Sequence, residues 1–406
     1  MALITPPKYV RQVLTTLQAR GHLAYLVGGC VRDMLMGVHP HDWDVCTSAL
    51  PEQVMEIFPR SLPLGIRHGT VTVVIESRQV EVTTFRSEGS YSDHRHPDAV
   101  SYVGDLTTDL SRRDFTMNAI ALPPDGLVAD PFGGVQDIQD KIIRSVGDPD
   151  RRFEEDALRM FRALRFSAKL GFRIEEQTAA AIIRQAPLAA GLSPERVRDE
   201  VEKLLLSPRP ERMDELIAAG LLDAYLLHRL PAYATLYRLN AVPRKTLFRW
   251  AMLSELLEEQ GCIRAAEDFL LRLRLDSRTI RCCSDCAAIL RLPTPARPVE
   301  WKRQLNQYGV EAVTCAARCR DALQGGSSYR ALRSVLNSGE CFSMKHLAVT
   351  GDDLLAIGLR GPALGDMLQF LLDYVMEFPE NNRRDLLLSL AGGSEEYRYG
   401  GFLDQT

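Results

Sequence analysis

The stretch from Leu26 to Thr47 limits what this chain can fold into more than any other. Leu23 to Val27 reads as a strand running into Gly28-Gly29, and two adjacent glycines let backbone or phosphate approach with no Cβ in the way. Cys30 to Met36 reads as a short helix stopped at Gly37. The N–H groups of its first turn lack internal partners and can hold an anion, and Arg32 adds a charged fork beside them. After the His39-Pro40 break, His41 to Thr47 reads as a second strand, on which alternation puts Asp42 and Asp44 on one face and Trp43 on the other. Two neighbouring carboxylates repel each other. A divalent cation relieves that repulsion, and Mg²⁺ favours one or two carboxylates plus substrate phosphates. A Gly-Gly bend is most often only a turn, and an Asp-x-Asp is most often surface loop. Their succession on strand, turn, helix and strand is far less common, and it fits a phosphate cradle beside a metal pair able to run an in-line displacement at phosphorus.

The 406 residues allow two to four domains. No apolar run approaches the roughly 18 residues of a membrane span, and the opening Met1-Ala-Leu-Ile-Thr-Pro-Pro-Lys8 lacks the basic and apolar zones of a signal peptide. A cytoplasmic protein with no membrane partner is the expectation. The net charge of −4 means that any nucleic-acid binding must come from a local basic face. Nine cysteines without an export signal predict free, buried thiols. Cys283-Ser-Asp-Cys286 with Cys315 and Cys319 has the count of a four-ligand zinc site, although both pairs fall in helix-like sequence, where such spacings also just mark one face.

Apolar spacing predicts a helix over residues 8–20 and another over 48–57, with Ser48 as its N-cap and Pro51 early. Two β-rich runs, 70–77 and 79–85, predict a hairpin through Glu76-Ser-Arg78. Glu81 sits between Val80 and Val82 and faces away from them. The polar segment 85–97 reads as a surface loop. In Asp105-Leu-Thr-Thr-Asp-Leu-Ser-Arg-Arg-Asp-Phe-Thr-Met-Asn-Ala119 the apolar residues supply packing, while Arg112, Arg113 and Asp114 cluster at the polar centre. Such a pair of arginines is either a solvated face or a bidentate grip on phosphate oxygens. Beyond Pro149 period-2 alternation nearly vanishes, and the remainder reads as helices.

Glu154-Glu-Asp-Ala-Leu-Arg-Met-Phe-Arg-Ala-Leu-Arg-Phe166 reads as a helix with acids early and arginines late, as the helix dipole favours. Asp156, Arg159, Arg162 and Arg165 trace a slanting stripe. Asp156 with Arg159 is explained by a plain salt bridge or by base reading. Cytosine and adenine each offer an amino donor beside a ring-nitrogen acceptor; uracil and guanine offer the reverse. A carboxylate accepts only and a guanidinium donates only, so the pair would admit C and A and leave buried groups unpaired against U and G.

Gly28-Gly29-Cys30-Val31-Arg32-Asp33 followed by Asp42-Trp43-Asp44 resembles the head motif of the class II tRNA nucleotidyltransferases, which include CCA-adding enzymes, CC- and A-adding enzymes and bacterial poly(A) polymerases. Arg112-Arg-Asp-Phe-Thr-Met-Asn-Ala119 and Glu155-Asp-Ala-Leu-Arg-Met-Phe-Arg162 are similar to two further motifs of that family. The resemblance is strongest over 26–166 and returns at 346–390. It implies an α+β fold: a nucleotidyltransferase head of polymerase-β type with a mixed sheet over 1–149, then an all-helical neck over 150–212, body over 213–340 and tail over 341–406. It implies Asp42 and Asp44 as ligands of two Mg²⁺ and Glu81 as a third carboxylate. Gly29, Arg32 and Arg113 would hold the triphosphate, Asp156 and Arg159 would read the base, and Arg162 and Arg165 would touch nucleotide or RNA phosphate. Arg86, Glu88, Tyr91, Asp93 and Arg95 match the family's mobile loop, whereas His96 departs from it; relatives that add only CC lack this loop.

The resemblance implies CCA addition to the 3′ end and acceptor stem of tRNA, from CTP and ATP. An A-adding enzyme or a poly(A) polymerase on the same scaffold stays open. So do a non-catalytic RNA-binding relative, against which intact Asp42, Asp44 and Asp156 weigh, and nucleotide transfer to a small molecule, which leaves the long helical remainder unexplained.

Overall fold

The computed structural model describes residues 5–88, 100–124, 126–231 and 236–393. The chain forms two compact units, Met1–Leu236 with Arg272–Arg274, and Tyr237–Leu271 with Leu275–Thr406.

The first unit begins with helix α1 (Lys8–Ala19), which buries Tyr9, Val10, Val13, Leu14 and Leu17, the one face that helical spacing gives it. Strand β1 (Ala24–Val27), helix α2 (Gly29–Leu35), strand β2 (Asp44–Thr47), helix α3 (Pro51–Ile57) and strands β3 (Ser61–Leu62), β4 (Thr70–Ile75) and β5 (Arg78–Thr84) follow. Then come strands β6 (Arg86–Glu88) and β7 (Val100–Tyr102), helix α4 (Leu106–Ser111), strand β8 (Ala121–Leu122), helix α5 (Gly134–Gln139) and strand β9 (Ile142–Ile143). A mixed sheet runs in the order β3-β4-β5-β2-β1-β8, with β2 and β5 parallel and the other neighbours antiparallel. The β4–β5 hairpin turns at Glu76 and Ser77, both with positive φ, the backbone of a type I′ turn made without glycine. Val80 and Val82 are fully buried on either side of exposed Glu81.

Two local expectations fail for a tertiary reason. Ser48 is not an N-cap: its Oγ accepts the Leu23 N–H at 2.9 Å, fastening the end of β2 to the start of β1. Helix α3 starts at Pro51, and the Gln53 side chain takes the Leu50 N–H instead, at 2.8 Å. The second strand begins at Asp44 rather than His41, so Asp42 lies in the bend before it, although the Trp43 carbonyl still accepts from the Glu81 N–H at 3.3 Å.

Helices α6 (Pro149–Glu155) and α7 (Leu158–Leu170), strand β10 (Arg173–Ile174) and helices α8 (Glu176–Gln185), α9 (Pro194–Leu205) and α10 (Met213–Ala218) complete this unit. The continuous helix expected over 154–166 is broken. Asp156 is extended, with φ −144 and ψ 102, and its Oδ1 accepts the Leu158 N–H at 3.1 Å. A short acid that bonds the backbone two residues on competes with helix and starts a new one. β10 pairs in parallel with β9, tying the helical stretch back to the end of the sheet-bearing part.

The second unit is helical: α11 (Thr246–Glu259), α12 (Ala266–Arg272, its last residue in the first unit), α13 (Ser277–Arg291), α14 (Pro298–Gln324), α15 (Ser328–Asn337), α16 (Gly351–Ala356), α17 (Pro362–Glu377) and α18 (Arg384–Gly392). Gly309, at φ 80 and ψ 164, interrupts α14. Leu354, Leu371, Leu372, Val375 and Leu387 centre one core at its C-terminal end. No helix among the described residues is long and apolar enough to cross a membrane.

One glycine fixes how α5 meets the turn Thr116–Asn118. A Cβ on Gly134 would lie 2.1 Å from the Thr116 carbonyl oxygen, and backbone cannot swing aside as a side chain can. Gly134→Ala is expected to lower stability by about 1–3 kcal/mol, read as a drop in the urea midpoint with an unchanged slope; an unchanged midpoint would show that this contact does not govern the packing.

Candidate active site

At the end of β1 the backbone of Gly28 takes φ 75 and ψ −138, which disfavours a side chain. There is also little room for one: a Cβ there would sit 3.1 Å from Arg113 Nη1 and 3.6 Å from Asp44 Oδ2. The glycine bend, a strand acid and an arginine more than sixty residues away therefore meet at one point. They open into a cleft of about 530 Å³, lined also by Gly29, Arg32, Arg112, Asp156, Arg159 and Arg162.

The carboxylates gather at its edge. Asp44 on β2 stands opposite Glu81 on β5 in the parallel ladder, so both side chains leave the sheet on one face. Burial, then the like charge of Glu81, push the Asp44 carboxyl up to about 6; Arg113 pulls it back and Asp42 adds to the rise. A carboxylate whose charge is penalised by burial and repulsion suits a hard divalent cation, whose own charge opposes both penalties. Asp42, Asp44 and Glu81 do not bring oxygens within 4.8 Å of one another as a set of three. Asp42 and Glu81 are exposed and do not line the cleft.

The arginines are held by buried acids. Asp109, fully buried on α4, accepts from Arg112 Nη2 at 2.9 Å and from Arg113 Nη2 at 3.4 Å. Arg113 Nε is buried with no hydrogen-bond partner among the described residues, a donor left over at the cleft wall. Arg32 is almost fully buried; it donates to Asn118 Oδ1 at 2.7 Å and to Asp33 Oδ1 at 2.6 Å. Asn118 donates on to Asp114 Oδ1 at 3.0 Å, and Arg162 donates to Asp114 Oδ2 at 2.6 Å. This chain of bonds links α2, the Thr116–Asn118 turn and α7. Burial alone would raise the Asp114 carboxyl, but the charge and hydrogen bonds of Arg162, with Asn118 and Arg159, hold it down at about 2. The guanidiniums of Arg32, Arg162 and Arg165 all approach the Phe166 ring.

Asp156 and Arg159 both face the cleft, but each is held by another residue. Asp156 accepts from Arg196 on α9 at 2.9 and 3.1 Å. Arg159 donates to Glu155 at 2.7 Å and to the carbonyls of Arg152 and Arg112 at 3.0 Å. Arg165 turns to Glu200 on α9 and does not line the cleft. Arg196 also lines the cleft, with Nη1 buried and unpaired among the described residues. Sequence reasoning offered Arg112 only as half of an arginine pair and gave Asp114 and Asn118 no role of their own. For Asp114 and Asn118 a signal existed: four residues apart beside two arginines, they form a local acceptor pair. Of the expected loop, Arg86 lines the cleft and donates to the His68 carbonyl; Tyr91, Asp93, Arg95, His96 and the Glu88 side chain lie outside the described residues.

A mixed sheet carrying paired acids beneath a glycine bend, with arginines closing over it from helices, defines a nucleotidyltransferase. A family model of the "Poly A polymerase head domain" matches residues 24–144, one described as "Probable RNA and SrmB- binding site of polymerase A" matches 171–232, and one of the tRNA nucleotidyltransferase domain 2 matches 246–391. The chain is 42% identical over 373 residues to the CCA-adding enzyme of Geobacillus kaustophilus, covering 89% of this chain and 90% of that one. It is 37% identical to that of Enterococcus faecalis, covering 96% and 98%. The crystal structure of the Bacillus stearothermophilus CCA-adding enzyme in complex with CTP superposes with a TM-score of 0.82 at 34% identity, over 97% of this chain and 99% of that one. The chain belongs to the family of CCA-adding enzymes.

The Asp114–Arg162 pair yields a pH prediction. A carboxyl depressed in the folded state takes up its proton more readily when unfolded. Its stabilisation is therefore complete above about pH 4 and fades as pH falls towards 2. Asp114→Asn is expected to cost about 3 kcal/mol at pH 7, because Arg162 is left half-buried and unpaired. The same change should flatten the fall in stability between pH 4 and 2, followed by urea unfolding at a series of pH values. Parallel curves for the two proteins would contradict it.

Proposed function

We propose that this chain adds C, C and A to the 3′ end of tRNA from CTP and ATP, without a nucleic-acid template and with release of pyrophosphate. The observation that carries this reading is the meeting of Gly28, Asp44 and Arg113 in one cleft with Asp156 and Arg159. Metal chemistry and base recognition then share a single nucleotide site.

Enzymes of this family use divalent metals. The hard oxygen donors and the raised Asp44 carboxyl suit Mg²⁺, with Asp42 and Asp44 as its protein ligands. When bound, two such ions supply activation of the RNA 3′-hydroxyl and neutralisation of the leaving pyrophosphate. Glu81, in register with Asp44, adds negative charge that tightens cation binding. The bare backbone at Gly28 and Gly29 admits the triphosphate, and the Nε of Arg113, without a partner among the described residues, donates to it. Arg32, tied to Asn118 and Asp33, fixes the floor beside them.

Asp156 accepts from the amino group of C or A, and Arg159 donates to the ring nitrogen. For this, Asp156 shares or exchanges its Arg196 bond, and Arg159 turns from Glu155 or the Arg112 carbonyl. Arg162 presents its half-exposed side chain at the cleft, whereas Arg165 acts through Glu200 to hold α7 against α9. Residues 1–149 serve as catalytic head and 150–212 as selecting neck. Residues 213–340 and 341–406 serve as body and tail that bind tRNA by shape and backbone.

The test is purified protein with Mg²⁺, tRNA lacking its last three, two or one nucleotides, and each labelled NTP in turn. Two C additions followed by one A are expected. A alone on the substrate lacking one nucleotide, or an A run of indefinite length, would replace this reading with an A-adding enzyme or a poly(A) polymerase. With Asp156→Ala and Arg159→Ala combined, discrimination against UTP and GTP should fall by ~10²-fold or more with metal binding intact. Unchanged discrimination would remove the pair from base reading.

A further inference from the structure

Nucleotide transfer makes no use of a thiol cluster in the second unit. All nine cysteines are free and buried. Cys282 and Cys286 lie four residues apart on α13, and Cys315 and Cys319 four apart on α14, so each pair sits on one face of its helix. The Sγ atoms of Cys286, Cys315 and Cys319 all lie within 4.8 Å of one another. Cys282 is outside that group of three; it stands one turn before Cys286 on α13, interacts electrostatically with Cys315, and is the candidate for a fourth position. Cys283, the partner expected from its Cys-x-x-Cys spacing, is likewise outside the group of three.

The cluster has the dimensions of a metal site. Four sulfurs about 2.3 Å from a single tetrahedral ion stand about 3.8 Å apart; Cys286, Cys315 and Cys319, all within 4.8 Å of one another, are near that spacing, and Cys282 has to turn towards them to complete it. It also has an unexplained neighbour. Arg320, next to Cys319, is 2% exposed. Its Nη2 donates to the Ile289 and Leu292 carbonyls at 2.7 and 2.9 Å, while Nη1 is buried with no hydrogen-bond partner among the described residues. It interacts with Asp321 and with Cys286, whose thiol is pushed well above its ordinary range and carries no charge without a metal. A buried guanidinium short of a partner is costly, and a metal–thiolate centre of net negative charge would offset that cost.

We propose that Cys282, Cys286, Cys315 and Cys319 bind one thiophilic divalent cation, Zn²⁺, as a closed structural site joining α13 to α14. Binding forms four Zn–S bonds and releases the thiol protons to solvent, with no change of oxidation state. With all four positions taken by protein, the ion has no place for water or substrate, so the role is structural.

The test is zinc analysis of the full chain purified without chelator, joined to cobalt substitution. One tightly held zinc per chain is expected, and the Cys286→Ser, Cys319→Ser double variant should lose it while Cys283→Ser keeps it. After zinc removal, Co²⁺ should give the thiolate charge-transfer and tetrahedral visible bands, which the oxygen ligands of the head cannot produce. This spectrum on the unmutated chain decides the matter even if the double variant fails to fold. Nine titratable thiols with no zinc and no cobalt band would overturn the proposal. So would a protein lighter by two hydrogens and short of two thiols, the mark of a disulfide within the cluster.

Discussion

Over Gly28 a carboxylate and a guanidinium come within reach of the same point in space, and the backbone there leaves no place for a side chain. The rest of the first unit serves that approach. β1 delivers the glycine, β2 delivers Asp44 from the neighbouring strand, and α4 delivers Arg113 through its anchor on buried Asp109. The sheet buries Val45, Val80 and Val82 completely on its other face, so the acids cannot retreat into the core and must crowd at the open edge. Burial first, and that crowding second, raise the Asp44 carboxyl and prepare the edge for a cation.

The charge pattern follows the same logic at longer range. The chain is net negative, yet one cleft collects Arg32, Arg112, Arg113, Arg159, Arg162 and Arg196. Each is steadied by an acid or carbonyl at its back, among them Asp33, Asp109, Glu155, Asp114 and Asp156. Such pairing orients donors without filling their full capacity, and the Nε of Arg113 and Nη1 of Arg196, without partners among the described residues, mark the capacity that remains. A site that must release one nucleotide and accept another gains from donors that are already aimed and have a protein partner to return to.

What could be read from the sequence was local. The glycine bend and the β4–β5 hairpin are set by neighbours within a few residues, and periodicity reports them well; the expected strand over His41 to Thr47 starts only at Asp44, which leaves Asp42 in the bend before it. The misplaced features depend on partners far along the chain. Ser48 caps no helix because Leu23 claims it, and Arg165 leaves the cleft because Glu200 does. The break at Asp156 had a local cause, a side chain bonding its own backbone, that helical spacing hid. Of the Cys-x-x-Cys pair only Cys286 meets Cys315 and Cys319, because helix rotation, invisible in a motif count, decides which sulfurs come together.

The most direct measurement is calorimetric titration of CTP with Mg²⁺ onto the unmodified chain and onto Gly28→Ala, each shown to be folded. If triphosphate, acid and arginine share the space above that glycine, the added methyl weakens CTP binding by about tenfold, or about 1.4 kcal/mol. Equal affinities in the two proteins would contradict the account, because the nucleotide would then have to lie elsewhere.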